Sequence, residues 1–166
     1  MDYFTKFKNK IFSKEIIISL IIIISAFVSD RISKIIVIKQ QVNNNGSFFV
    51  NDYVNLDLVW NTGIGFGLFS QNANIYYHAT TFLIFLVIVF LSNFISKANV
   101  LNKALYSLVL GGALGNFYDR LFYFAVPDFI DIHINDFHWF TFNIADIFIT
   151  IGVIILIGKD LVPRKK

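Results

Sequence analysis

Residues 111–120 read GGALGNFYDR, a stretch that joins small residues to a cluster of polar ones inside a hydrophobic segment. Gly111, Gly112 and Gly115 give a helix a smooth surface that a second helix can approach closely. Small residues of this kind are typical of helices that associate within a membrane. The stretch therefore predicts a membrane helix that packs tightly against a neighbour.

The polar residues of the same stretch share one helical face. Asn116, Asp119 and Arg120 stand at i, i+3 and i+4, and such groups are costly to keep in a membrane helix without a role. Because Asp119 adjoins Arg120, we expect it to form a local ion pair or to join a network that keeps it ionised. A structural role is favoured for Asp119 over a catalytic one.

The composition indicates a membrane protein of one domain. The 166 residues are 56% hydrophobic and only 15% charged, with a mean hydropathy of +0.65, whereas soluble domains carry about 25% charged residues. The absence of Cys excludes disulfides, thiolate catalysis and Cys-ligated metals. The basic ends of the chain lie beside apolar segments, so they indicate membrane topology and not a nucleic-acid partner.

Four windows are long and apolar enough to cross a bilayer, which takes about 20 residues. These windows are 16–38, 75–95, 103–125 and 140–157. If all four cross, the lysine-bearing segments fall on one side, and the positive-inside rule places both termini in the cytoplasm. The predicted fold class is an all-α membrane protein with four transmembrane helices and two outward segments, 39–74 and 126–139.

The first window also has features of a signal peptide, because four lysines precede an apolar run of 13 residues. A retained helix is favoured, since an A-x-A pattern is missing and apolar residues resume at 35–38. The segment after it contains a predicted strand, because apolar and polar residues alternate from Val54 to Asn61. Two interpretations of this segment stay open: an ordinary hairpin, or a small sheet that holds an extended substrate by edge pairing.

The first and fourth windows also carry polar residues. Asp30 and Lys34 share a helical face, and this pair either snorkels at the outer boundary or braces a polar site. Arg31 projects elsewhere and is expected to be an interface anchor. Asn143 can cap the start of the fourth helix, whereas Asp146, one turn further, has no such structural explanation and is predicted to be functional.

The partner of Asp146 stays open on chemistry alone, because Asp128, Asp131 and Asp119 all compete for that role. Asp128 follows Pro127 at an outward helix end, where acids are commonly solvated. The HExxH and GxSxG motifs are absent, which leaves carboxylate chemistry. The three histidines have no spacing typical of metal ligands: His78, His133 and His138. A four-helix transporter or channel with acids that relay protons or cations is the alternative class, and a scaffold subunit is a third.

Five ordered blocks of the chain resemble lipoprotein signal peptidase, the type II signal peptidase of bacteria. The blocks are DRISK at 30–34, NTGIGFG at 61–67, GGALGNFYDR at 111–120, VPDF at 126–129 and FNIAD at 142–146. The resemblance implies an aspartyl endopeptidase of family A8 whose catalytic residues are Asp128 and Asp146. Its implied reaction removes the signal peptide from diacylglyceryl-modified prolipoproteins, by cleavage before the lipidated Cys and with no cofactor or metal.

The resemblance also implies supporting residues, a location and partners. The supporting or substrate-binding residues are Asp30, Lys34, Asn61, Gly63, Asn116, Asp119, Arg120 and Asn143. The implied fold has four helices, an extracytoplasmic β-sheet (cradle) and a short mobile helix over a site near the outer face of the bacterial cytoplasmic (inner) membrane. Membrane lipids are implied partners, and the cyclic peptide globomycin is an implied inhibitor. Pro127 and Thr141 depart from the family pattern and leave the loop geometry open.

Overall fold

The computed structural model describes residues 14–44, 48–63 and 75–161, which form four helices and one small sheet. In chain order the elements are α1 Lys14–Asn44, β1 Phe48–Asn51, β2 Val54–Asn61, α2 Ile75–Ile95, α3 Val100–Phe122, β3 Val126–Ile134, β4 Phe137–Phe142 and α4 Ile144–Leu161. The four predicted helices and the predicted sheet are therefore present.

The predicted boundaries of the third and fourth helices are wrong. The helix predicted at 103–125 begins at Val100 and ends at Phe122, and the helix predicted at 140–157 begins only at Ile144. The reason is that residues 126–142 form a β-hairpin, in which aromatic and β-branched residues suit strands. The outward segment 126–139 is consequently part of the sheet and not a helix end or loop.

Two helical segments among the described residues are long and apolar enough to cross a membrane, Lys14–Gln41 and Tyr77–Ile95. Large apolar side chains such as Phe82 and Phe90 of α2 are more than half exposed, which suits contact with lipid. The helices α3 and α4 each contain three charged residues, which lie near both ends of the helix. That these two helices also cross is a proposal.

The helix α3 packs against each of the other three helices. A Cβ atom at Gly111 would lie 2.7 Å from the Cβ of Ala26 in α1, and one at Gly112 would lie 2.7 Å from the carbonyl oxygen of Ala145 in α4. Successive glycines of α3 therefore permit close approach of two different helices. The predicted small-residue packing surface is confirmed.

The sheet is antiparallel with the strand order β1-β2-β3-β4, so the segment predicted as a strand at 54–61 is not an isolated hairpin. A bulge in β2 between Leu56 and Val59 interrupts the predicted alternation. As a result Trp60 is 45% exposed, whereas Asn61 is 6% exposed and points into the protein. Strands β2 and β3 contact α1, and β3 also contacts α3.

The two positions that depart from the family pattern, Pro127 and Thr141, lie in paired strands. Pro127 is opposite Trp60 in β2, and Thr141 of β4 is opposite Asp131. Pro is tolerated there because it stands at the beginning of β3. The predicted short helix is not found among the described residues, and part of the NTGIGFG block falls in residues 64–74, outside them.

Replacement of Gly112 by Ala is expected to lower the free energy of unfolding by about 1–3 kcal/mol, because the new methyl group would displace the backbone of α4. Gly158→Ala is the matched control, since its methyl group would have no heavy atom within 4 Å. It should be neutral or stabilising by up to about 1 kcal/mol through helix propensity. Unfolding of the detergent-solubilised variants measures both. Equal stability of the two variants would contradict the close packing of α3 on α4.

Candidate active site

Asn143 brings the two predicted catalytic aspartates together. Its Nδ2 donates to Oδ1 of Asp128 at 2.5 Å, and its Oδ1 accepts from the backbone N–H of Asp146 at 3.1 Å. Its own backbone N–H donates to Oδ2 of Asp146 at 3.2 Å. Asp128 is 3% exposed within β3, so the expectation of a solvated acid at a helix end is wrong.

The same contacts form a cap at the start of α4. The side chain of Asn143 satisfies a backbone N–H in the first turn, while the carboxylate three residues later returns a hydrogen bond to the backbone N–H of Asn143. The predicted capping role of Asn143 is confirmed. The cap also fixes the carboxylate of Asp146 at the end of a helix whose dipole favours negative charge.

The amide of Asn61 holds the other oxygen of Asp128. Oδ1 of Asn61 accepts from the N–H of Gly63 at 2.9 Å, so its Nδ2 is left to donate to Oδ2 of Asp128 at 2.9 Å. The carbonyl oxygen of Gly63 accepts from Arg120, whose own carbonyl accepts from the hydroxyl of Tyr77 at 2.6 Å. This chain of contacts ties the end of β2 to α3 and α2.

Asn116 performs the same role for Asp146. Because an ammonium can only donate, Oδ1 of Asn116 faces Nζ of Lys34 at 2.9 Å. Its Nδ2 therefore donates to Oδ1 of Asp146 at 2.8 Å. Each of the four carboxylate oxygens of Asp128 and Asp146 thus accepts a hydrogen bond from an amide whose orientation is fixed.

A buried charge network supports Asn116. Nζ of Lys34 lies 2.9 Å from Asp30 and 2.7 Å from Asp119, and all three side chains are at most 1% exposed. Arg31 contacts the same two carboxylates at 3.0 and 2.6 Å. Two cations and two anions therefore balance. The Asp30–Lys34 pair braces the site and does not snorkel, and Asp119 joins this network in place of a local ion pair with its neighbour.

The expectation that Arg31 is an interface anchor is wrong. Its side chain is 12% exposed, and its guanidinium also lies 4.9 Å from the ring centroid of Tyr118. Two further contributors were not anticipated: the N–H of Ala145, which donates to Asp30 at 3.1 Å, and the hydroxyl of Tyr77. No sequence signal identifies a backbone N–H, and a Tyr near the start of an apolar helix is common in membrane proteins.

The surroundings of Asp128 favour its protonated form. Burial raises the pKa of Asp128 to about 6, and the negative charge of Asp146 contributes to the rise. The hydrogen bonds from Asn61 and Asn143 oppose it. Two carboxylates that share one site commonly differ in protonation for this reason. The pair can therefore hold one proton up to about pH 6, well above the usual range for a carboxyl group.

An apolar cavity of about 210 Å³ adjoins Asp146. It lies between β4 and the outer side of α4, and its lining consists of Phe140, Phe142, Asp146, Ile147, Thr150 and Ile151. Apart from Asp146 and Thr150 this lining is apolar, which suits a ligand with an apolar part.

Asp131 does not pair with Asp146. Its Oδ2 lies 2.7 Å from Nδ1 of His138, and together with His133 these side chains are a group of possible metal ligands. The statement that the histidines lack a ligand-like arrangement is therefore wrong for two of them, because the β3–β4 hairpin brings them together. The group does not include Asp128 or Asp146.

The chain is similar to lipoprotein signal peptidases along most of its length. The family model described as Signal peptidase (SPase) II matches residues 22–162. The lipoprotein signal peptidase of Pelagibacter ubique (strain HTCC1062) is 45% identical over 159 residues, which cover 95% of this chain and 96% of that protein. The one from Anaplasma phagocytophilum (strain HZ) is 38% identical over 152 residues, which cover 90% and 96%.

Two solved structures of bacterial membrane enzymes share the fold. One, determined by the in meso method at 2.3 Å resolution, has a TM-score of 0.70 and 29% identity, with 89% of this chain and 92% of that chain covered. The other, at 1.9 Å resolution, has a TM-score of 0.71 and 32% identity, with 86% and 92% covered. The arrangement of four helices and a small sheet is thus that of a membrane enzyme. From the family match and these relatives it follows that the chain belongs to the signal peptidase II family and is a peptidase.

Proposed function

We propose that this chain removes the signal peptide from diacylglyceryl-modified prolipoproteins, by cleavage before the lipidated Cys, with Asp128 and Asp146 as catalytic residues. The observation that carries the proposal is that Asn143 joins a buried and a half-buried carboxylate at the junction of the sheet and α4. The names of the similar proteins indicate the substrate class. They do not favour a transporter or channel.

The contacts of the two carboxylates favour different roles for them. Asp128, with its pKa raised to about 6, is the carboxyl that holds the proton. Asp146 accepts a hydrogen bond from the side-chain amide of Asn116, whose oxygen accepts from the ammonium of Lys34. This connection to a cation suits an ionised carboxylate that acts as a base. A pair of acids in different protonation states is the minimum requirement for acid–base activation of water.

The reaction then proceeds in two steps. Asp146 removes a proton from water while the water oxygen attacks the scissile carbonyl carbon, and Asp128 donates its proton to the carbonyl oxygen to give a gem-diol. On collapse the C–N bond breaks, Asp146 gives its proton to the leaving nitrogen, and Asp128 recovers a proton from a diol hydroxyl. Both carboxyls return to their initial states, so these residues complete the cycle themselves.

Arg120 is proposed to bind the substrate backbone. Its Nη2 donates to the carbonyl oxygen of Gly63. Among the described residues, Nε and Nη1 of the same buried guanidinium have no hydrogen-bond partner. Buried donors of this kind are costly unless a partner arrives, and a carbonyl of the extended substrate would supply one.

The proposed topology has four crossing helices, both termini in the cytoplasm, and the site near the extracytoplasmic face of the bacterial inner membrane. Two contacts support this topology, because they involve basic residues at the end of the bundle away from the sheet. Lys103 at the start of α3 pairs with Glu15 at the start of α1, and Lys159 at the end of α4 donates to Asn102. The positive-inside rule places this end in the cytoplasm.

Replacement of either catalytic aspartate by Asn is expected to reduce cleavage by about 10²–10⁴-fold, because the pair loses its acid or its base. The cleavage rate is measured with a diacylglyceryl-modified precursor in membranes. Each rate is taken as the difference between assays without and with globomycin, since inhibition by that peptide is part of the proposal. Asp57→Asn, at an exposed position in β2, is the matched control and should cleave at the unaltered rate. Full activity in Asp128→Asn or Asp146→Asn would reject the assignment.

The pH dependence follows from the raised pKa of Asp128. If Asp128 is the acid, kcat should be highest below about pH 6 and should fall by up to about tenfold per pH unit above it, as the carboxyl loses its proton. Initial rates measured from about pH 5 to about pH 8 in one detergent test this. A rate that rises through pH 6 would assign Asp128 as the base and reverse the two roles.

The apolar cavity beside Asp146 is proposed to receive an acyl chain of the substrate. Ile151→Trp should fill part of this cavity and raise KM by about tenfold with little change in kcat, because loss of apolar contact area weakens binding. Ile154→Trp, at an exposed position of the same helix outside the cavity lining, is the control. Equal KM values for the two variants would place the acyl chain elsewhere.

A further inference from the structure

The β3–β4 hairpin carries potential metal ligands that the catalytic pair does not use. Asp131, His133 and His138 each offer one ligand atom, and these atoms all lie within 4.8 Å of one another. We propose that they bind one transition-metal ion of the Zn²⁺ type. One carboxylate and two imidazoles are a donor set that suits Zn²⁺, whereas Mg²⁺ and Ca²⁺ prefer oxygen ligands alone.

The register of the strands creates this group. Asp131 and His133 are two residues apart in β3, so their side chains lie on the same face of the strand. A shift of one residue in β4 then places His138, and not Trp139, opposite His133. A bulge of this kind redirects a side chain, and here it adds the second imidazole to the face that carries the first.

The distances are close to those around a bound ion. Oδ2 of Asp131 lies 2.7 Å from Nδ1 of His138 and 3.5 Å from Nδ1 of His133. The two imidazole rings stack with their centroids 5.3 Å apart. Donor atoms around tetrahedral Zn²⁺ are about 3.3 Å apart, because each bond is about 2.0–2.1 Å long. The two distances from Asp131 lie on either side of this value, so the side chains would adjust around a bound ion.

Buried polar atoms without partners point independently to a ligand. His133 is 8% exposed, and its Nδ1 has no hydrogen-bond partner among the described residues. Leaving a buried polar atom unsatisfied is costly, and coordination to a metal would remove that cost. Across the sheet from Asp131, Oδ1 of Asn55 is also buried and lacks a partner among the described residues, and it is a candidate fourth ligand.

The proposed ion is separate from the peptidase chemistry. Residues an odd number of positions apart on a strand face opposite sides, so Asp128 faces away from both Asp131 and His133. The ion would join β3 to β4 and stabilise the hairpin that carries Asp128, without contact with the reacting water or carbonyl. This inference does not depend on the proposed peptidase reaction.

Zinc titration of the full chain tests the proposal. The protein is purified in detergent without a polyhistidine tag, treated with a chelator, and titrated with ZnCl₂ by calorimetry. We expect one Zn²⁺ per chain and a rise of about 5 °C in Tm when Zn²⁺ is about 100 times its Kd. Co²⁺ in place of Zn²⁺ should give the visible absorption of a four-coordinate site.

The three histidines of the chain supply matched variants. His138→Ala should weaken Zn²⁺ binding by about tenfold or more, since one of three ligands is lost, whereas His78→Ala in α2 should bind as the unaltered chain does. The side chain of His138 is 59% exposed, so its replacement leaves the fold intact, which the Tm without metal verifies. Equal binding by the two variants, or no binding by the unaltered chain at micromolar Zn²⁺, would overturn the proposal. Asp128→Asn should bind Zn²⁺ normally, so loss of cleavage and loss of metal are separate results.

Discussion

The ammonium of Lys34, which is buried between two carboxylates, is the interaction on which the rest of the site depends. A buried charge costs several kcal/mol unless it is paired and fully hydrogen-bonded, and Lys34 is paired with Asp30 of its own helix and Asp119 of α3. Its remaining donor goes to Asn116 and thereby orients an amide toward Asp146. The charge balance of this buried network and the orientation of Asn116 therefore depend on the same ammonium group.

The proposed catalytic pair is shared between two parts of the fold. Asp146 belongs to the helices, where Asp30 also accepts the N–H of Ala145 at the start of α4. Asp128 belongs to the sheet, and amides from the end of β2 and the end of the hairpin hold it. Each carboxylate takes one donor from a residue distant in the chain, Asn61 for Asp128 and Asn116 for Asp146, so the packing of the sheet and the bundle completes the pair. For the proposed reaction such a pair is preorganised, which is an efficient way to stabilise charge in a transition state.

Local patterns predict that four helices are present, but they do not predict the boundaries of the third and fourth, and they predict the sheet only in part. The glycine spacing at 111–115 predicts the packing surface of α3, because that surface depends on the period of a single helix. The sequence does not predict the hairpin at 126–142. Its two strands are defined by their pairing with each other, and the hydrophobicity of one segment carries no information about that pairing. The sequence also does not predict that Arg31 is part of the charge network, because its partner Asp119 is 88 residues away. Chemistry alone also left Asp128 and Asp131 in competition, and only the resemblance to a family favoured one of them.

The strand β3 shows why two neighbouring acids have separate roles. Its alternation is regular, since the irregularities of the sheet lie in the partner strands, so Asp128 and Asp131 project from opposite faces. One face meets the amides of Asn61 and Asn143, and the other meets His138. The two faces share a single backbone, so the amides that hold Asp128 and the histidine that contacts Asp131 act on one strand. The group of Asp131, His133 and His138 and the proposed catalytic pair therefore share this strand but no side chain.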